Sequence, residues 1–209
     1  AQILAAISHD LQTPITRMKL RVEMSEQPEL RDKLLGDLDN MSRLVREGIA
    51  YARSSEVLEE ARQVVSLNAF LDSIACDYQD IGKAVTFTSC YGKDTFAVRP
   101  QALRRIMTNL IDNALKFGSE AGIVLSAPQG DRVEIHVLDN GPGIPEAELQ
   151  AVLEPFYRIE SSRNRHTGGT GLGLAIATQL VGQMSGTLHL SNRPEGGLDA
   201  HITLQQTDL

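Results

Sequence analysis

The chain has 209 residues, of which 42% are hydrophobic and 4% aromatic, so it is long enough for one large or two ordinary soluble domains. Its net charge of -7 argues against a nucleic-acid-binding surface, which normally carries a basic excess. No run approaches the roughly 18 apolar residues that span a bilayer, and no signal peptide opens the sequence, so we expect a cytoplasmic chain. Cys76 and Cys90 form no CxxC pattern and are predicted to be reduced, structural thiols.

The residues before Ser25 repeat apolar side chains with the 3.6-residue period of a helix. Six of them fall within about 80° of one another on a helical wheel and predict a stripe that faces a core. They are Leu4, Ile7, Leu11, Ile15, Met18 and Val22. His9 lies roughly opposite, with Thr13 and Leu20, and so faces solvent or a partner. Pro14 is expected to bend the helix one turn beyond His9, either as a tolerated kink or as a hinge.

A second helix is predicted to begin near Pro28, a residue suited to the first helical turn. Its small or apolar residues repeat at spacings of four and three, which is the heptad pattern of a packed bundle. They are Leu34, Leu38, Met41, Val45, Gly48 and Ala52. A single hairpin of about 55 residues buries too little surface to be stable alone. We therefore expect a homodimer in which two hairpins form a four-helix bundle.

The heptad pattern lapses after Ser54 into a charged stretch, which we interpret as a domain boundary. The sequence thus predicts a helical hairpin over residues 1–55, a linker over 56–66 and a second domain over 67–209. Mixed helices and strands in the second domain predict an α/β sandwich. Helices are expected at 68–81, 100–117, 145–152 and 172–184, and strands at 84–88, 95–98, 122–127, 132–138, 187–191 and 200–204.

One predicted helix carries a polar face made of Asn109, Asn113 and Lys116, which are spaced by four and three residues. Carboxamide oxygens can ligate Mg²⁺, and a lysine can pair with phosphate, so this face has the chemistry to bind a metal triphosphate. Taken alone, the same pattern also fits a solvated helix face.

Two glycine-rich stretches follow. The segment 139–143, DNGPG, comes directly after a predicted strand, and its glycines permit a turn and close backbone approach to a ligand. The segment 168–174, GGTGLGL, opens a helix and supplies amide donors for phosphate. It does not follow a strand and has no acidic residue about 20 positions on, so it is not a dinucleotide-binding fingerprint.

These motifs resemble those of bacterial sensor histidine kinases of the EnvZ type. The run SHDLQTPITRM resembles the phosphoacceptor box, and NLIDNALKF, DNGPG, EPFYR and GGTGLGLAI resemble the N, G1, F and G2 boxes of the catalytic domain. That catalytic fold is also found in Hsp90, gyrase B and MutL. The resemblance covers nearly the whole chain and implies ATP and Mg²⁺ as cofactors.

The resemblance also implies roles for the predicted helix and for the strand end. Asn113 would hold Mg²⁺, while Asn109 and Lys116 would reach the phosphates. Asp139 would accept a hydrogen bond from the adenine amine, and Phe117 would border the nucleotide pocket.

The loops receive roles in the same way. Gly141 and Gly143 would shape the pocket, and Arg158 would approach the γ-phosphate from a lid. Five consecutive residues would wrap the phosphates, namely Gly169, Thr170, Gly171, Leu172 and Gly173. The lid segment around Arg163, Arg165 and His166 matches no pattern of the family, so no role is given to these residues.

By the same resemblance, His9 would be phosphorylated by ATP and would pass the phosphoryl group to an aspartate in the receiver domain of a response regulator. Asp10 would orient the imidazole or accept its proton. Thr13 would position water for the reverse activity, the dephosphorylation of the regulator. We expect the longer parent protein to be anchored in the bacterial inner membrane and to carry the sensory part.

Two other functions remain to be weighed. A conformational ATPase of the Hsp90 or MutL type would have a glutamate four residues before the metal asparagine, whereas this sequence has Asn109. A nucleotide-binding scaffold without catalysis would be favoured if His9 or the asparagine pair were missing, and both are present.

The remaining histidines in predicted strands are His136, His189 and His201. No second metal ligand stands near any of them at the usual sequence spacing, so they are expected to be surface or edge residues.

Overall fold

The computed structural model describes residues 2–24, 27–54, 60–90, 92, 95–126, 132–159 and 170–205. The N-terminal part is the predicted helical hairpin, with α1 at Gln2–Glu23 and α2 at Pro28–Ser54. Helix α1 runs without interruption through Pro14. The hairpin packs through residues such as Ile15 and Leu38, which are 4% and 7% exposed. The side chains of Leu4 and Ile7 lie outside the described residues.

The predicted apolar stripe is only partly buried within one chain. Leu11 and Met18 of α1 are 45% and 39% exposed, and Leu34 and Met41 of α2 are 38% and 46% exposed. The stripe is predicted to face the core of a dimeric four-helix bundle, and one chain supplies only two of the four helices. Each helix has a single neighbour in the hairpin, and one neighbour can cover only part of a stripe that is about 80° wide.

The second part of the chain contains three further helices and seven strands among the described residues. The helices are α3 at Leu67–Asp80, α4 at Pro100–Phe117 and α5 at Gly173–Gln183. The strands are β1 at Gln63–Val65, β2 at Val85–Ser89, β3 at Phe96–Val98, β4 at Ala121–Ser126, β5 at Arg132–Asp139, β6 at Thr187–Asn192 and β7 at Leu198–Gln205. Apart from β1, each had been predicted to within about two residues.

The strands form two sheets. A five-stranded sheet has the order β2-β4-β5-β7-β6, in which β2 and β4 are parallel and the other pairs are antiparallel. Burial alternates along β4, β5 and β7, so each of these strands turns one row of side chains towards a core. Helices α3, α4 and α5 contribute their buried side chains to that same core. The predicted α/β sandwich is confirmed.

Part of the predicted linker belongs to this domain. Strand β1 lies within residues 56–66 and pairs antiparallel with β3. Ser66 caps α3, because its hydroxyl accepts a hydrogen bond from the amide of Ala69 at 3.2 Å. No sequence pattern predicts β1, since a three-residue strand is too short to show alternation.

Glu60 also ties the end of this segment to the domain. Its carboxylate accepts hydrogen bonds from the amides of Gln101 and Ala102 in the first turn of α4, at 2.8 and 3.1 Å. Arg99 donates to the carbonyl of Glu60 at 2.9 Å. An acidic side chain at this end of a helix satisfies free amides and complements the helix dipole.

The short helix predicted at 145–152 is wrong in type. The segment forms two turns of 3-10 helix, Glu146–Glu148 and Ala151–Leu153. In these turns an amide donates its hydrogen bond to the carbonyl three residues earlier. For example, the amide of Glu148 donates to the carbonyl of Pro145 at 2.8 Å. Such tight turns are usual where a helical segment is too short to propagate.

The strand histidines differ from the prediction as well. His189 is exposed on the edge strand β6, as expected, but His136 and His201 lie half-buried on the inner strands β5 and β7. Glu134 lies beside both of them at a distance suitable for a shared metal ion. Sequence spacing could not reveal this cluster, because the residues come together only through the strand register.

None of the described helices is both long and apolar enough to cross a membrane. Cys76 and Cys90 are free thiols, and both are exposed.

Candidate active site

A cleft of about 530 Å³ lies where α4, the end of β5, the start of α5 and helix α2 meet. Most of the residues that the sequence assigned to a nucleotide site line this cleft. They are Asn109, Asn113, Lys116, Phe117, Asp139, Gly143, Arg158, Thr170, Gly171 and Gly173. The fold therefore brings together side chains from four separate motifs.

Helix α4 places the polar face in the cleft. Its opposite side is buried in the core through residues such as Ile106 and Leu110, so the spacing of four and three residues turns Asn109, Asn113 and Lys116 away from the core. The Nδ2 atom of Asn109 is buried and has no hydrogen-bond partner among the described residues. A buried donor without an acceptor is costly, so this position suits a ligand that supplies an oxygen.

The start of α5 adds to the same end of the cleft. The α-carbon of Gly173 is so close to Asn109 that a methyl group there would lie 3.6 Å from Asn109 Oδ1. Amides in the first turn of a helix lack intrahelical acceptors and carry a positive partial charge. Together with the Asn109 donor they form a binding position for an anion such as phosphate.

Three cationic side chains, Lys116, Arg158 and Arg43, line the cleft. Partial burial lowers the pKa of the Lys116 ammonium, and the positive charges of Arg158 and Arg43 lower it further, while Glu47 raises it. The Lys116 ammonium lies 4.7 Å from the centre of the Phe117 ring. Lys116, Arg158 and Arg43 thus outnumber the one carboxylate, Glu47, that acts on Lys116, and this balance favours an anionic ligand.

Asp139 provides a hydrogen-bond acceptor in the same cleft. The carboxylate is buried, and its Oδ1 accepts hydrogen bonds from the amides of Gly141 and Leu198 at 2.8 and 3.0 Å. No hydrogen bond to Oδ2 is formed within the described part of the chain, so this oxygen can accept one from a ligand. Gly141 does not line the cleft, but it helps to fix the Asp139 carboxylate.

Two of the predicted glycines have backbone conformations that other residues rarely adopt. Gly143 has φ +73°, and a β-carbon there would lie 2.6 Å from Asn192 Oδ1. Gly171 has φ +75°, and a β-carbon would lie 2.7 Å from the carbonyl oxygen of Tyr157. Glycine is therefore required at both turns, which shape the cleft wall.

Leu172 differs from its predicted role. Its side chain is fully buried in the core and does not line the cleft, whereas its neighbours Gly171 and Gly173 do. A leucine at this position anchors the glycine turn to the core.

Sequence reasoning missed the contribution of the helical hairpin. Arg43 and Glu47 of α2 line the cleft, and the hydroxyl of Thr170 donates a hydrogen bond to the Glu47 carboxylate. From the sequence alone, both α2 residues would be taken for solvent-facing helix positions, because nothing in their spacing indicates a ligand. Only the packing of α2 against the second domain identifies them.

The other missed residues form the rest of the lining. One of them, Asp112, accepts a hydrogen bond from Tyr78 at 2.6 Å. Burial, together with this bond, raises the pKa of Tyr78 above its ordinary range. The remainder are mostly apolar, namely Pro142, Ile144, Val152, Tyr157, Ile159, Leu174 and Leu198. An apolar wall beside a buried acceptor suits a planar base.

Several predicted residues cannot be placed in this geometry. The side chains of His9 and Asp10 lie outside the described residues, although the backbone of α1 is described there. Gly169 and the lid residues Arg163, Arg165 and His166 lie outside them as well. Thr13 is exposed on α1.

Comparisons with known proteins agree on both parts of the chain. Residues 98–208 match the model of the family described as histidine kinase-, DNA gyrase B-, and HSP90-like ATPase, and residues 1–57 match the His kinase A (phospho-acceptor) domain. The chain is 38% identical over its whole length to the sensor histidine kinase GtrS of Pseudomonas aeruginosa, of which it covers 42%. It is 29% identical to the sensor histidine kinase CpxA of Escherichia coli, with 97% of this chain and 46% of CpxA covered. The chain thus spans less than half the length of these relatives.

Solved structures support the same fold. The crystal structure of full-length ShkA in complex with AMPPNP matches with a TM-score of 0.73 at 24% identity, covering all of this chain and 47% of ShkA. The Acinetobacter baumannii histidine kinase AdeS matches with a TM-score of 0.66 at 19% identity, covering 96% of this chain and 98% of AdeS.

The glycine turn at Gly171 generates a prediction. Gly171→Ala strains the backbone beside the cleft at a cost of about 1–2 kcal/mol, and the free protein can relieve this strain by shifting the turn. Binding must then restore the strained turn, so we expect roughly tenfold weaker ATP binding by isothermal titration calorimetry. Gly182→Ala is the matched control, since Gly182 is exposed in α5 and has no atom within 4 Å of its potential β-carbon. An affinity of the Gly171 variant within twofold of the unmodified protein would contradict the role of this turn.

Proposed function

The chain belongs to the histidine kinase-, DNA gyrase B- and HSP90-like ATPase family, and we propose that it is the ATP-dependent protein-histidine kinase core of a sensor kinase, with His9 as phosphoacceptor. The observation that carries this proposal is the buried, unpaired Nδ2 of Asn109 in a cleft that also contains Lys116 and Arg158. That arrangement fits a polyphosphate, and the match of residues 1–57 to the phosphoacceptor domain includes His9.

ATP fits both ends of the cleft. Asp139 would accept a hydrogen bond from the exocyclic amine of adenine, with Phe117 beside the base. Asn109, Lys116 and Arg158 would contact the phosphates, and the backbone of the 169–173 turn would wrap them. The buried Asp139 carboxylate would bind the base and the cations would bind the phosphates, and this difference would orient the nucleotide in one direction.

The residues present also fit Mg²⁺. Asn113 lines the cleft one helical turn beyond Asn109, and its carboxamide oxygen is a suitable ligand. When bound, the ion would neutralise negative charge on the phosphates.

The residues of α1 would carry out the chemistry. A neutral ring nitrogen of His9 attacks the γ-phosphorus, a P–N bond forms, and the P–O bond to ADP breaks. Asp10 orients the imidazole or accepts its proton. The phosphoryl group then passes from His9 to an aspartate of a response-regulator receiver domain, and Thr13 positions water when that aspartyl phosphate is hydrolysed.

A residue in the cleft favours this reaction over the conformational ATPases that share the fold. Those enzymes resemble one another in carrying a glutamate, which activates water, four residues before the metal asparagine. Here that position is Asn109, a side chain that cannot act as a base. A scaffold without catalysis is disfavoured because both the phosphoacceptor segment and the asparagine pair are present.

A homodimer would bury the apolar residues that the hairpin leaves exposed. Leu11 and Met18 on α1, with Leu34 and Met41 on α2, are large, exposed and spaced at helical intervals. A second hairpin packed on this face gives a four-helix bundle. The sensory part and the inner-membrane anchor of a longer parent protein remain predictions.

The phosphoacceptor assignment predicts a specific labelling result. Incubation with γ-labelled ATP and Mg²⁺ should place an acid-labile, base-stable phosphoryl group on the chain, because a phosphoramidate has this stability. His9→Gln should abolish the label while ATP affinity stays within about twofold by the calorimetric measurement used for Gly171→Ala. Label that persists in this variant would rule out His9.

The role given to Thr13 predicts that the two activities separate. Thr13→Ala should retain autophosphorylation and lose most of its ability to dephosphorylate the cognate regulator, because only the second reaction needs the hydroxyl. Thr13→Ser restores a hydroxyl and should recover the second activity. Equal loss of both activities in Thr13→Ala would indicate damage to the helix instead.

The dimer proposal predicts different effects on the two faces of α1. Met18→Glu introduces a charge into the proposed interface and should convert the protein to a monomer in sedimentation velocity runs. Leu20→Glu is the matched control, because Leu20 is 59% exposed and lies on the opposite side of the helical wheel. Circular dichroism confirms that both variants remain helical, and a dimeric Met18 variant would refute the interface.

A further inference from the structure

Three histidines form a row across the sheet, on the face turned away from α3, α4 and α5. His136 of β5 is directly opposite His201 of β7, which is directly opposite His189 of β6. The residues before and after His136, Ile135 and Val137, are buried in the core, so His136 points to the other face. This row is therefore separated from the nucleotide cleft by the thickness of the sheet.

The first two rings lie against each other. The centroids of His136 and His201 are 4.2 Å apart, and the ring planes differ by 8°. Glu134, two residues before His136 on the same face, brings one carboxylate oxygen to 4.0 Å from His136 Nε2 and 3.8 Å from His201 Nε2. These three potential ligand atoms all lie within 4.8 Å of one another.

Asp199 fixes the orientation of one ring. Both oxygens of its carboxylate lie 3.0 Å from His136 Nδ1. A carboxylate on Nδ1 holds the proton there and leaves the lone pair on Nε2, the nitrogen that faces Glu134. In zinc sites, a ligating histidine commonly donates a hydrogen bond from its other ring nitrogen to a carboxylate.

The cluster is also open to solvent. The side chains of His136, His201 and Glu134 are 23–27% exposed, so a fourth ligand can come from water.

We propose that Glu134, His136 and His201 form a binding site for a divalent transition-metal ion of the zinc class, with Asp199 as the supporting carboxylate. Two imidazoles and one carboxylate are a known ligand set for four-coordinate zinc with one open position. Tetrahedral coordination at ligand distances of about 2.1 Å requires ligand atoms about 3.4 Å apart, so each nitrogen must move about half an ångström towards Glu134. The Nε2 lone pair of an imidazole lies in the plane of its ring, and the two ring planes are nearly parallel, so the His201 ring must also turn out of the stack before both lone pairs can meet one ion. This turn takes place about the side-chain bonds of His201 and leaves the strand register unchanged.

The test is a zinc titration of the full 209-residue chain in competition with a chromophoric chelator. The background is the Cys76→Ser, Cys90→Ser double variant, since both thiols are exposed and would compete for zinc. We expect one zinc ion per chain at this site. His201→Ala and the nearly isosteric Glu134→Gln should each weaken binding at least tenfold, and Asp199→Asn should weaken it by about tenfold or more.

His189→Ala is the matched control, because this residue belongs to the same row but is exposed on the edge strand. Its affinity should stay within threefold, and X-ray absorption of the zinc-loaded protein should show two imidazole ligands. Circular dichroism in the presence of a chelator establishes that the variants are folded. No zinc bound to the folded protein, unchanged affinity in His201→Ala, or equal loss in His189→Ala would each overturn the assignment.

Discussion

The rotational setting of α4 is the constraint on which the site depends. Its apolar side is buried under the sheet, with Leu103, Ile106 and Ile111 completely buried, and this packing fixes the helix about its own axis. The polar residues Asn109, Asn113 and Lys116 have no freedom to turn elsewhere, so they line the cleft together. A change in the core face of α4 would therefore disturb the ligand-binding face without touching it.

The remaining walls of the cleft depend on this helix and on tightly packed turns. Gly141, just after β5, packs closely against the end of α4. A β-carbon at this position would lie 2.9 Å from the carbonyl oxygen of Phe117. The amide of Gly141 also donates a hydrogen bond to the Asp139 carboxylate. The residues proposed to bind the base and the phosphates are thus held by adjacent elements of one core.

Most of the fold was predictable because its signals are local. The heptad of α2, the polar and apolar faces of α4 and the alternation along β5 each occupy one continuous stretch, and the glycine motifs placed the turns. What the sequence could not supply was contact between distant stretches. Strand β1 is too short to show a pattern, and Arg43 and Glu47 enter the cleft only because α2 packs beside it. His136 and His201 meet through strand register alone.

The contact between Thr170 and Glu47 shows why that missing information matters for function. A threonine hydroxyl has one proton to donate, and here it is donated to the carboxylate of α2. The family resemblance gives the same residue a role at the phosphates. The hydroxyl can donate to Glu47 or to a phosphate oxygen, but not to both, and the Glu47 carboxylate would repel a phosphate beside it. Under the proposed function, phosphate binding at Thr170 would therefore compete with this contact between α2 and the second domain.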